Sequence, residues 1–236
     1  MARAELKRAC ARRSSHTNGS LRYMNVGTQQ RDRVAAIAKT KPHEALELAR
    51  SIDDPWFRCQ ALGIAAVHAP DLRSRKSAIV GAFSAANELS EPNRVVTVSS
   101  WPVKALVLTG HMSSVSSEVA RLLQVLSAES SPVRRADALR YLLGSVSMAP
   151  RDIASRVARE FAAACLAPLQ SGKRNSKGES NLEACLPGIA RIDSAFAQSL
   201  LVRLEPSRSE RAARALEAAK NVPVDELLSW PNFDAA

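Results

Sequence analysis

Residues 55–62 read PWFRCQAL and residues 132–139 read PVRRADAL. Both fit P-x-x-R-x-x-A-L, and they lie 77 positions apart. Near the midpoint stands Glu91-Pro92-Asn93-Arg94, a degenerate copy. Pro168 and Pro206 continue the series, so prolines at 55, 92, 132, 168 and 206 are spaced by 37, 40, 36 and 38 residues. A period of about 38 is the signature of a stacked repeat and is read before anything else. Proline has a fixed φ and no N–H, so it suits the first turn of a helix, where the missing donor is not needed. Asp54 and Ser131 precede two of these prolines, and both are good N-cap residues. The spacing predicts a helix opened by each proline.

Apolar positions outside the motif follow the same logic. After the prolines, Phe57, Ala61, Ile64 and Ala65 share a helical face, as do Ala136, Leu139, Leu143 and Val146. Ahead of each proline runs a second amphipathic segment: Ala45, Leu48, Ala49 and Ile52; Ile79, Phe83 and Ala86; Val119, Leu122, Leu123 and Leu126; Ile153, Val157, Phe161 and Ala164; Phe196, Leu200 and Leu204. Joins as short as Asp53-Asp54 force the two helices of a pair to run antiparallel. Val95–Val98 is β-branched but in phase with the helical repeat, and hairpin dipeptides are missing nearby.

The expected fold is all-α: an α-solenoid of about five antiparallel helical pairs, roughly 42–70, 72–110, 114–148, 151–192 and 193–222. An opening helix is expected at about 29–39, with Val34, Ile37 and Ala38 as its apolar members. Leu227–Phe233 is apolar enough to cap the last pair. Trp101-Pro102 should kink or split the second helix of the second pair. On the period, the proline-opened helices and the recurring Arg and Ala-Leu positions, residues 40–222 resemble the HEAT-like α-solenoids. The resemblance implies hairpins that hide their apolar sides against one another. The tetratricopeptide pattern W-x₂-L-G-x₂-Y is absent, and an irregular helical bundle is the alternative fold.

The chain has 236 residues, 46% hydrophobic and 24% charged, which is enough to bury a core and excludes general disorder. No run of apolar residues reaches a membrane span. The net charge is +10, of which six basic residues against Glu5 within residues 1–23 supply +5. Arginine outnumbers lysine 25 to 8, which reads as the coding bias of a GC-rich bacterial genome. Residues 1–28 are expected to be a basic tail ahead of a single helical-repeat domain over 29–236. The tail fits a disordered segment, an upstream extension with the native start at Met24, or, loosely, a transit peptide, and it lacks the apolar core of a secretory signal.

Catalytic signatures are sparse. Cys10, Cys59, Cys165 and Cys185 form no C-x-x-C, and the last three sit among apolar residues as small hydrophobes do. Unpaired cysteines without a signal sequence point to the cytoplasm. His16, His43, His68 and His111 make no zinc pattern. His43 and Glu47, spaced i,i+4, read as an exposed polar face, while His68 and His111 fall near helix ends. APLQSGKR at 167–174 fails the phosphate-loop pattern at both ends, and Ser171–Ser180 (SGKRNSKGES) reads as a flexible insert. Asp53 and Asp54 are turn and cap residues. No metal, cofactor or small-molecule ligand is implied, and an enzyme is not indicated.

Two functions from different classes remain. The first is a protein-interaction scaffold or adaptor using the long face that stacked hairpins create. The second is nucleic-acid binding along a basic edge of inter-helix turns, with Arg73, Arg75 and Lys76, Arg134 beside Arg135, and Lys173, Arg174 and Lys177 as candidate contacts for an anionic partner. That reading requires those turns to align, and with aromatics at 4% base stacking is poorly supplied. Arg58 and Arg135, at equivalent repeat positions, are expected to bond the preceding turn or a neighbouring repeat, for instance at Asp53 or Glu129.

Overall fold

A computed structural model describes residues 26–169 and 171–231. These form twelve helices, with no strand among the described residues. Helix α1 covers 26–38, three residues ahead of the expected start, and most of the predicted tail lies outside the described residues. There follow α2 (Pro42–Arg50), α3 (Pro55–Val67), α4 (Leu72–Asn87), α5 (Pro92–Leu108), α6 (Met112–Leu126) and α7 (Pro132–Ser145). The series continues with α8 (Arg151–Leu166), α9 (Ser176–Ile192), α10 (Ser194–Leu201), α11 (Pro206–Ala218) and the short α12 (Val224–Leu227).

Prolines 55, 92, 132 and 206 each occupy the first turn of a helix. The Asp54 carboxylate accepts from the backbone N–H of Trp56 at 2.8 Å, and Ser131 Oγ accepts from that of Arg134 at 3.4 Å. These are N-cap bonds that satisfy otherwise orphaned donors.

Pro168 departs from the series. Helix α8 ends at Leu166, Pro168 lies in the connection, and α9 opens only at Ser176. Asn175 takes over the start, its side-chain oxygen accepting from Gly178 N at 2.9 Å. The supposed insert SGKRNSKGES is therefore half loop and half helix, because a strong N-cap residue with Glu179 in the first turn starts a helix without proline.

Of the kink or split expected at Trp101-Pro102, the split does not occur: α5 runs as one helix from Pro92 to Leu108 with Pro102 inside. A proline at 102 cannot donate to the carbonyl of Val98. That acceptor is taken by the thiol of Cys59 on α3, with Sγ 3.4 Å from the oxygen. Gly63 of α3 lets the two backbones meet there, since a Cβ at that position would stand 3.1 Å from the Trp101 carbonyl carbon and 3.2 Å from Pro102 N. The helix ends on Gly110, at φ +78°, where His111 N donates to Leu106 O and Gly110 N to Val107 O. This is a Schellman termination, which favours glycine at the left-handed position.

Alternation governs the packing. Helices α3, α5, α7, α9 and α11 each lie against the next of their set, and the intervening α4, α6, α8 and α10 pack against these helices. The expected apolar faces supply the core. Ile52, Leu122, Leu139, Leu142, Leu143, Phe161 and Leu200 are among its fully buried large side chains, while Leu48, Phe83, Leu123 and Phe196 are partly covered. Burial of each such side chain contributes about 1.5–3 kcal/mol, the term that holds a helical hairpin to its neighbours.

Leu227–Phe233 does not close the end of the last pair. Leu228 packs over Gly188 of α9, and the segment turns back along the row to Trp230 and Pro231, with residues 232 and 233 outside the described ones. Gly188 and Gly144 carry no Cβ, which leaves the room that the Leu228 side chain and the main chain of Leu228 and Trp230 occupy.

Candidate protein-interaction face

Helices α3, α5, α7, α9 and α11 run parallel to one another. Gly63 in α3 meets Trp101 in α5, each eight or nine residues past its proline. Arg134 near the start of α7 reaches Glu91 just ahead of α5, and Lys177 and Asn181 of α9 bond Asp137 of α7 at 2.7 and 3.0 Å. The guanidiniums of Arg208 and Arg211 in α11 grip Glu183 of α9 at 2.7–3.1 Å. The starts of these helices thus share one edge. Helix α4 runs the other way: Arg58, at the beginning of α3, makes two 2.6 Å bonds to Glu88 after α4, while Arg75, early in α4, donates to Ala66 O late in α3.

This geometry places each candidate cation. Arg73, Arg75 and Lys76 lie at the start of α4, on the edge opposite the starts of α7 and α9, where Arg134, Arg174 and Lys177 stand. Lys173 is exposed in the connection leading into α9. The structure does not bring the two groups together. Arg134 pairs with Glu129, Arg174 with Glu179, and Lys177 with Asp137. Each of these basic side chains remains more than half exposed while it pairs with its carboxylate.

Arg58 and Arg135 behave as repeat equivalents. Arg58 donates to the carbonyl of Ile52 at 3.0 Å and Arg135 to that of Glu129 at 2.8 Å, each six residues upstream. The recurring arginine thus ties the turn to the helix that follows it. Arg94 lies over the Trp56 ring, 5.4 Å from its centroid, carrying the polar edge from α3 to α5.

Acid–base chemistry gains little from the arrangement. Cys59, Cys165 and Cys185 are buried, and burial pushes each thiol above its ordinary range, to about 11 for Cys185. A thiol so placed stays protonated, the reverse of what a nucleophile needs. His43 and Glu47 are both exposed, and Glu47 accepts from Arg50 at 2.5 Å. Among the described residues no group of three or more His, Cys, Asp or Glu could hold a metal ion, and no helix is long and apolar enough to cross a membrane.

Farther along the row lies a feature outside the P-x-x-R-x-x-A-L motif. Lys104, Gly144 and Gly188 each stand twelve residues after the first residue of α5, α7 and α9. They form a level line across three parallel helices, and residues 228–231 lie on it. A Cβ at Gly188 would come within 2.3 Å of Leu228 Cγ, and one at Gly144 within 1.8 Å of the Trp230 carbonyl oxygen. Lys104 Nζ donates to Pro231 O, and the Tyr141 and Trp230 rings sit 5.9 Å apart, tilted by 59°. The sequence signal was there as two glycines at one offset from two helix starts, but α9 lacks its proline, so the offset was hidden. No protein-family model, curated protein or solved structure matches this chain.

Proposed function

We propose that this chain is a HEAT-like α-solenoid of five helical hairpins and serves as a protein-interaction scaffold. The observation that carries the reading is the parallel, side-by-side row of α3, α5, α7, α9 and α11. The first helices of the hairpins, in contrast, pack chiefly on that row and little on one another. Spacing tighter on one side than the other curves a stack toward the tighter side. The row of second helices is then the concave surface, the one that repeat arrays offer to partners. Pairing of Arg134, Arg174 and Lys177 with carboxylates, and the split of the basic residues between two edges, favour a protein over a phosphate backbone.

The test is a library of displayed peptides and small domains panned against the full chain. Enriched binders that protect amides of α3, α5, α7, α9 or α11 from hydrogen exchange would support the reading. Binders mapping only to α4, α6, α8 and α10 would oppose it. Tight duplex DNA or RNA binding whose affinity falls steeply with salt would instead favour the basic-edge alternative.

A further inference from the structure

We propose that the level line across α5, α7 and α9 is a docking track for a partner segment of the pattern leucine–x–aromatic–proline, and that residues 228–231 are its built-in competitor. The inference rests on the scaffold reading and names the ligand class of its concave face.

The argument starts from what the seated segment uses. Its closest approach to the middle helix is through main chain, since Gly144 faces the carbonyl oxygens of Trp230 and Leu228, which a Cβ would meet at 1.8 and 2.9 Å. Contacts to main chain are open to many sequences. Two side chains add selectivity. Leu228 is 5% exposed against Gly188, and Pro231 is buried with its carbonyl on Lys104. Trp230 lays its ring near Tyr141 yet remains 47% exposed, so an aromatic group of another shape would be accommodated. The three helix positions are equivalent in register, so the track is a property of the repeated array. A segment that crosses parallel helices at one level and leaves its largest side chain half in water has the geometry of a bound peptide. Held within the same chain, it has a local concentration on the order of millimolar, against which a partner must compete.

The probe is a fluorescein-labelled synthetic peptide with the sequence of residues 222–231, titrated into three full-length chains: the parent, W230A/P231A and W230A/P231A/G144A. The peptide should bind W230A/P231A saturably and the parent at least about tenfold more weakly, because the resident segment competes. G144A should abolish binding while leaving helical circular dichroism intact, since alanine favours a helix. A second releasing variant, L228S, should behave as W230A/P231A does. Absence of saturable binding to both released chains overturns the proposal. So does binding that G144A leaves unchanged, which would put the peptide elsewhere. If both releasing variants unfold the chain, residues 228–231 are core and not an occupant, and the proposal fails. None of these failures touches the scaffold reading, which stands or falls on the display experiment.

Discussion

Raising the pH should destabilise this protein through its buried thiols, and the size of the effect follows from their placement. Cys59, Cys165 and Cys185 are raised from an ordinary thiol value of 9.0, burial being the largest cause at each. A folded-state value above the unfolded one gives stability that is complete below the unfolded value and is lost as pH rises toward the folded one. In the window between 9.0 and the roughly 11 of Cys185, the unfolded chain releases three protons that the native chain keeps. At about pH 10 each unfolded thiol is some ten-elevenths ionised, which favours the unfolded state by about 1.4 kcal/mol per group, or about 4 kcal/mol for three. That is a large share of the ~5–15 kcal/mol that holds a domain folded. The assay is urea unfolding under reducing conditions at several pH values from about 8 to 10, for the parent and for Cys59→Ala. The substitution leaves the Val98 carbonyl without its donor, so it should destabilise by about 1 kcal/mol near neutrality. It should also remove a third of the alkaline loss, and the two stability curves should converge as pH rises. Parallel curves, or a parent stability that is flat to pH 10, would refute the assignment of Cys59 as a sealed thiol.

Three further outcomes follow from contacts in the fold. Gly63→Ala places a methyl 3.1–3.2 Å from backbone atoms of Trp101 and Pro102; the helices must part, and a net loss of about 1–3 kcal/mol should appear in denaturant titration despite the better helix former. Asp54→Ala removes the cap of α3 and should cost about 1 kcal/mol, with Asp54→Asn close to the parent, as read by thermal unfolding. Glu183→Gln should loosen α11, so that its amides exchange faster while those of α3 do not change, because Arg208 and Arg211 tie α11 to α9 through that carboxylate. Hydrogen bonding from Arg211, then from Arg208, holds Glu183 below its usual value. The tie is therefore present above the ordinary carboxylate range and should fade in the parent as acid protonates it, a trend that amide exchange measured at falling pH would show.

Much of the helical layout was legible because it depends on short-range chemistry. A proline fits best in the first helical turn, an Asp or Ser before it caps that turn, and apolar residues three and four apart mark a buried face, so α3, α5, α7 and α11 could be placed from the residues alone. The same reasoning misplaced the start of α9, since Asn175 opens a helix as well as a proline does and leaves no mark in a proline series. Pro102 leaves α5 unsplit for a related reason. Its cost inside a helix depends on whether the freed carbonyl finds another donor, and that donor, Cys59, lies 39 residues away in sequence on another helix.

The residues by themselves determined an all-helical chain with recurring helix starts and arginines that bind back to their own turns, because each of those features is decided within about six positions. Tertiary structure alone decided which edge each basic cluster joins and where residues 228–231 lie. Edge and track depend on the direction and register of helices some 40 residues apart in sequence, and those are fixed only when the apolar faces close against one another.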